Sequence, residues 1–182
     1  MNYRSYFRFL GKLFSKKNIV SMWAKSVFDI DYDKLWKEGV RLIVFDVDDT
    51  LAGHRGEISE KVSAFLKKLT GGKNKFRVAF FSNCSKGRTR FLSKIGSDLG
   101  IFVEGSSSKP SPKGYARILK HFGFDSNEAV MVGDRVGTDL AGACFAGFKD
   151  RILVERFSNN FDGPKQPRCL SFLDFFERFL FL

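Results

Sequence analysis

The chain is poor in the residues that often decide a reading at once. Cys84, Cys144 and Cys169 are odd in number and show no paired spacing, which excludes a disulfide framework and a zinc site built on cysteine pairs. Reduced thiols of a cytoplasmic protein fit best, and Cys84 reads as a packed bystander. Proline occurs only four times, too rarely for a proline-rich linker. No apolar run approaches the roughly 20 residues that span a bilayer, and there is no internal repeat. No RNA-binding motif or aromatic base-stacking signature is present. Acids are missing from two stretches. Residues 1–28 hold Arg4, Arg8, Lys12, Lys16, Lys17 and Lys25 without an Asp or Glu, and residues 61–97 hold ten bases, again without an acid. The net charge of +11 is therefore regional, and regional charge gives an anionic partner a direction of approach. Solvated helix faces account for several lysines but not for the exclusion of acids.

What is present is a globular composition, 43% apolar with 22 phenylalanines in 182 residues, enough for one domain with a buried core. Leu42-Ile43-Val44-Phe45 reads as a strand buried on both faces of a parallel sheet. It runs straight into Asp46-Val47-Asp48-Asp49-Thr50-Leu51. Further apolar runs at 78–81, 101–103, 129–132 and 152–154 predict four more strands. Between them lie helical patterns: Ser59 caps one that reaches Leu69 and stops at Gly71-Gly72, and one over 88–99 ends at Gly100. A third opens on Ser111-Pro112, with Tyr115, Ile118, Leu119 and Phe122 turned inward, and a small-residue helix covers about 139–146. The alternation predicts an α/β fold, a doubly wound parallel sheet of five strands.

The two ends differ from this. Tyr3, Tyr6, Phe7, Leu10, Leu13 and Phe14 follow a helical repeat opposite Arg4, Arg8, Lys12 and Lys16. This is the pattern of a helix in a membrane interface. At about 1 kcal/mol per base near an anionic surface, the six bases of residues 1–28 supply at most ~6 kcal/mol, enough for reversible attachment. Docking of this helix on its own domain and a mitochondrial-type targeting peptide stay open as alternatives. At the other end Leu170, Phe172, Leu173, Phe175, Phe176, Phe179 and Leu180 surround a narrow strip of Ser171, Asp174 and Arg178. That segment calls for a buried place, on the sheet or on a membrane-facing surface shared with the first helix. The expected organisation is a basic amphipathic segment at 1–28 and a core at 29–182.

Open α/β sheets bind ligands at the carboxyl ends of their strands, so Asp46 and Asp48 should share one site. Two close carboxylates are costly unless a proton or a cation lies between them, and Mg²⁺ held by carboxylates and substrate phosphate is the usual solution. Taken alone, the pair also reads as turn and cap residues. The other strand ends and loops supply, in order, Ser82-Asn83, Lys109-Pro110, Gly133-Asp134 and Thr138-Asp139. With FDVDDTL, FFSN, KPSP and VGDRVGTD in that order, the stretch 40–154 resembles the haloacid dehalogenase (HAD) superfamily of aspartate-nucleophile phosphatases.

The resemblance implies roles for these residues. Asp46 would be the nucleophile and Asp48 the acid and then the base. Thr50, Ser82, Asn83 and Lys109 would bind phosphate, with Lys113 in reserve for Lys109. Asp46, the Asp48 main-chain carbonyl and Asp134 would hold Mg²⁺, with Asp139 acting on it through water or from behind the direct ligands. Both gaps that carry cap domains in many members are filled here by a helix and turns, so a capless, open site is expected. Lys86, Arg88 and Arg90 follow Ser82-Asn83 directly and should rim its mouth. The segment KSVFDIDYDKLWKEGVRLIVFDVDDTL, with GDRVGTDLAGACFAG later, resembles the YqeG-type branch, which includes phosphatidylglycerophosphate phosphatases. What this implies is removal of the terminal phosphate of phosphatidylglycerophosphate by a peripheral protein on the cytoplasmic face of the membrane, an anionic phospholipid being the partner and nucleic acid none. A soluble phosphatase acting on nucleotide, sugar or protein phosphates, and a basic nucleic-acid- or ribosome-associated binder, are the competing readings.

Overall fold

A computed structural model describes residues 19–105 and 109–157. The two terminal helical patterns, at 3–14 and 170–180, lie outside the described residues. The core is one parallel sheet of β1 (Met22–Ala24), β2 (Leu42–Phe45), β3 (Arg77–Phe81), β4 (Phe102–Glu104), β5 (Ala129–Gly133) and β6 (Asp150–Val154). The spatial order is β1-β6-β5-β2-β3-β4. The expected five strands are thus six. β1 escaped notice because three residues, one of them the half-exposed Trp23, are too short to show a period on a sheet edge. Its pairing with β6, Met22 opposite Ile152, places residues 19–28 inside the α/β domain, with Ile19, Ala24 and Val27 buried. The stretch 1–28 therefore divides: its last ten residues are part of the fold.

Alternate side chains of each central strand go to opposite faces. Ile43, Phe45, Val78, Phe80, Val130 and Val132 pack under α1 (Tyr32–Lys37), α2 (Glu60–Gly71) and α3 (Lys86–Leu99). Leu42, Val44, Ala79, Phe81 and Met131 pack under α4 (Pro112–Phe122) and α5 (Ala141–Phe145). The capping signals at Ser59 and Ser111 act as expected, their hydroxyls accepting from the amides of Val62 and Lys113, and Ser85 caps α3 in the same way at the Arg88 amide. Gly100 and Gly123 end α3 and α4 in the left-handed conformation. α1, six residues capped by Asp31, was not visible as a period.

The chain runs β2, β3, β4 toward one edge, then returns to lay β5 on the other side of β2. That reversal makes β2 and β5 a topological switch point, where the crevice beyond two adjacent strand ends opens. Phe45 stands opposite Val132, and the Asp46 amide donates to the Val132 carbonyl at 2.9 Å. Asp46 and Asp134 consequently leave neighbouring strands side by side. The segments that follow β2 (46–59) and β3 (82–85) hold turns and caps only, so neither carries a cap domain.

Candidate active site

Beyond β2 the chain folds back within a few residues. The amides of Leu51 and Ala52 both donate to the Val47 carbonyl, and Asp49 takes a positive φ of 68° to bond Ala52. This turn keeps Asp46 and Asp48 on the same mouth. Beyond β5 the chain winds more loosely than an α-helix: the Leu140 amide reaches back five residues to Arg135, forming a π-helical turn over Val136–Leu140. Such turns are frequent at functional sites. Here the extra residue brings Asp139 back against the strand end, and a side chain at Gly133 would put a Cβ 2.7 Å from the Asp139 carboxylate. The buried Tyr115 hydroxyl donates to the Asp139 carbonyl at 2.7 Å and fastens the turn.

Asp46, Asp134 and Asp139 converge there, all buried, with one carboxylate oxygen of each within 4.8 Å of the others. Lys109 enters from the loop before α4, its side chain 2% exposed. Its ammonium donates to Asp46 Oδ1, to Asp139 Oδ1 at 2.7 Å and to the Phe81 carbonyl at 2.8 Å. α4 comes close enough for this because Gly114 has no side chain: a Cβ there would lie 2.3 Å from the Phe81 ring. The Asp46 carboxyl is raised to about 7: burial pushes it up most, Lys109 pulls against this, and Asp139 and Asp48 add to the rise. Asp134 is likewise raised well above the carboxylate range by burial, then by Asp139 and Asp46. Burial lowers the Lys109 ammonium, but Asp139 and Asp46 outweigh it and keep it charged.

This donor set fits a hard divalent cation. Three buried carboxylates share a space that two cations, Lys109 and Arg156, neutralise incompletely, and all the ligand atoms they offer are oxygens. Asp46, Asp134 and Asp139 could hold such an ion. The Asp48 carboxylate stands apart from the cluster: Arg88 donates to its Oδ1 at 2.9 Å. The pocket they border measures about 130 Å³ and also includes Ser82, Asn83, His54 and Arg135. A wider groove of about 600 Å³, lined by Phe28, Tyr32, Phe65 and Phe76, contains none of these residues.

Two phosphate-site expectations are placed differently from what the sequence suggested. Thr50 is buried and lines no part of the pocket; its hydroxyl makes a long contact of 3.5 Å to Asp134 Oδ1 from behind. Asn83 uses both ends of its amide on the Lys109 backbone, accepting at 2.8 Å and donating at 3.2 Å. Its side chain therefore fixes the lysine loop. Ser82 is buried at the pocket wall, while Lys113 lies outside the pocket lining. Sequence reasoning missed Arg156, whose Nε donates to Asp134 Oδ2 at 3.0 Å from a side chain 5% exposed. The next amide, of Phe157, donates to the Asp49 carbonyl at 2.7 Å. An isolated arginine after a strand carries no motif, and nothing but the fold shows where it points.

The HAD-hydrolase-like family model matches residues 107–156, the stretch that holds Lys109, Asp134 and Asp139. The probable phosphatase YqeG of Bacillus subtilis is 24% identical over 83% of this chain and 88% of its own length. The chain belongs to the haloacid dehalogenase superfamily. It is a phosphatase of that superfamily, on the YqeG side of it. Phosphatidylglycerophosphate phosphatase 1 of Arabidopsis thaliana, chloroplastic/mitochondrial, is 33% identical over 71% of this chain, which spans 38% of that longer protein. A haloacid dehalogenase-like hydrolase from Xanthomonas campestris shares the fold, with a TM-score of 0.51 at 14% identity over 65% of this chain and 84% of that one.

Proposed function

We propose that this phosphatase is a Mg²⁺-dependent phosphomonoester hydrolase that removes the terminal phosphate of phosphatidylglycerophosphate at a membrane surface. The convergence of Asp46, Asp134, Asp139 and Lys109 at the switch point carries the chemistry. Asp46, Asp134 and Asp139, with the Asp48 main-chain carbonyl, would hold the ion; when bound it neutralises phosphoryl charge and orients the ester. Asp46 attacks phosphorus and the P–O ester bond breaks, giving an aspartyl-phosphate. Asp48 gives its proton to the departing alkoxide, then takes one from the water that hydrolyses the aspartyl-phosphate. Lys109 and Ser82 hold the phosphoryl oxygens, and Lys109 keeps the Asp46 carboxyl from rising further.

The lipid assignment is supported by the Arabidopsis relative, by the absence, among the described residues, of a cap domain after β2 or β3, and by the acid-free, basic start of α3 at the rim of the pocket. Among the described residues no helix is long and apolar enough to cross a membrane, so attachment is read as peripheral, through lysines and arginines facing anionic headgroups. Mg²⁺-dependent phosphate release from phosphatidylglycerophosphate in mixed vesicles, beside a panel of soluble esters, tests the substrate. Flotation of the full chain should be strong with anionic vesicles and weak with neutral ones. A preference for soluble esters would leave a phosphatase with a different substrate.

The ion should also show itself through pH. Because the Asp46 carboxyl sits near 7 rather than 3.8, the metal-free fold holds more protons than the unfolded chain between those values. Its contribution to stability falls as pH rises through that window. Mg²⁺ takes the deprotonated form, so its thermal stabilisation should be large at pH 8 and small at pH 5.5. Equal shifts in melting temperature at both pH values would contradict this.

A further inference from the structure

Outside the carboxylate cluster, one cation ties three parts of the pocket wall together. Arg88 lies in the first turn of α3, where the Ser85 hydroxyl accepts from its amide and fixes the start of the side chain. One guanidinium nitrogen donates to Asp48 Oδ1 at 2.9 Å and to the Gly56 carbonyl at 2.7 Å. The side chains of Arg88 and Asp48 are 12% and 19% exposed, so the pair is shielded from most of the screening that weakens surface ion pairs. Gly56 closes the turn whose amide bonds the Gly53 carbonyl at 2.7 Å, and that turn carries His54 to the pocket.

We infer that Arg88 is a positioning residue for Asp48, holding the proton-transfer carboxyl against the 53–56 turn so that it faces the leaving group. The inference rests on the phosphatase reading above. With Oδ1 occupied by the guanidinium, Oδ2 is the oxygen left to carry the proton to the alkoxide and to accept it back from water. Without this anchor the Asp48 carboxyl, at the mouth of an open pocket, is free to turn to other rotamers, and the productive fraction falls. Arg88 touches none of the Asp46, Asp134 and Asp139 carboxylates and meets Asp48 through its side chain rather than its main-chain carbonyl, so the groups that would hold the ion stay in place without it.

The consequence is a loss that depends on the leaving group. An alkyl phosphate needs its departing oxygen protonated; p-nitrophenyl phosphate releases a stable phenolate that does not. Arg88→Gln should lower kcat for glycerol phosphate or phosphatidylglycerophosphate by on the order of 10- to 100-fold, part of what a general acid contributes. First-turnover release of nitrophenolate should stay within about 3-fold of the wild type, the same reaction without the proton requirement. Arg88→Lys, which keeps a charged donor, should recover most of the loss on alkyl esters. The Mg²⁺-induced rise in melting temperature should match the wild type in both variants, which separates positioning from misfolding. Equal losses on both esters, no loss on either, or a raised KM with unchanged kcat would overturn the inference. If the wild type hydrolyses neither ester, the phosphatase reading itself fails and takes this inference with it.

Discussion

Asp46→Asn is expected to abolish phosphate release, by a factor on the order of 10⁴ or more, as removal of a covalent nucleophile does in other hydrolases. The substitution keeps the shape of the side chain and its place between Lys109 and the other two acids. The fold should therefore survive. Stability without metal should stay level or rise, because the cost of burying the Asp46 charge is gone and with it the Asp46 charge that raises Asp134. Rapid quench with a radiolabelled phosphate ester should show a labelled protein in the wild type and none in the variant. Activity within tenfold of the wild type would remove Asp46 from the reaction.

Lys109→Met should have the largest effect on stability. Among the described residues its ammonium is the one cation that contacts Asp46 and Asp139 together, and its side chain is 2% exposed. Breaking a buried pair by removing one partner costs about 3–5 kcal/mol, which lowers the melting temperature of a domain this size by roughly 10 °C. The loss should depend on pH in a definite direction. Burial above all raises the Asp46 carboxyl, and Lys109 is what holds it down to about 7, so its removal favours the protonated acid still more. Below that value the acid is neutral and the missing cation matters little; as pH rises through it, the uncompensated charge appears and stability is lost. Melting curves of wild type and variant at pH 5.5 and pH 8, in EDTA, should therefore diverge with increasing pH. Phosphate release should fall about 10³-fold, the order seen when a preorganised donor to the reacting oxygens is removed. A variant that melts with the wild type at pH 8 would show that the lysine does not balance these acids.

The sheet and the site were legible to different depths, for physical reasons. Runs buried on both faces, such as Leu42–Phe45 and Ala129–Gly133, announce themselves because nothing polar can occupy them. The acids at their ends then follow from the general rule for parallel sheets. The edge strand Met22–Ala24 and the six-residue helix Tyr32–Lys37 have too few residues to show a period, and their places depend on neighbours far along the chain. Long side chains are harder still. Arg88 could be assigned to the rim of the mouth by its position after Ser82-Asn83, but its bond to Asp48 spans 40 residues and its bond to Gly56 spans 32. The contacts of Asn83 with the Lys109 backbone and of Thr50 with Asp134 are likewise beyond the sequence, because a strand end fixes a location and leaves the hydrogen-bond partner to the packing.

The pair Arg156 and Phe157 has a mechanical consequence. The side chain of one is latched to Asp134 and the amide of the other to the left-handed turn at Asp49, so the polypeptide departs from the rim of the reaction chamber. Any displacement of these two residues is therefore felt at once by the carboxylate of one strand and by the catalytic turn of the next, which makes the end of β6 a mechanical link into the reacting groups.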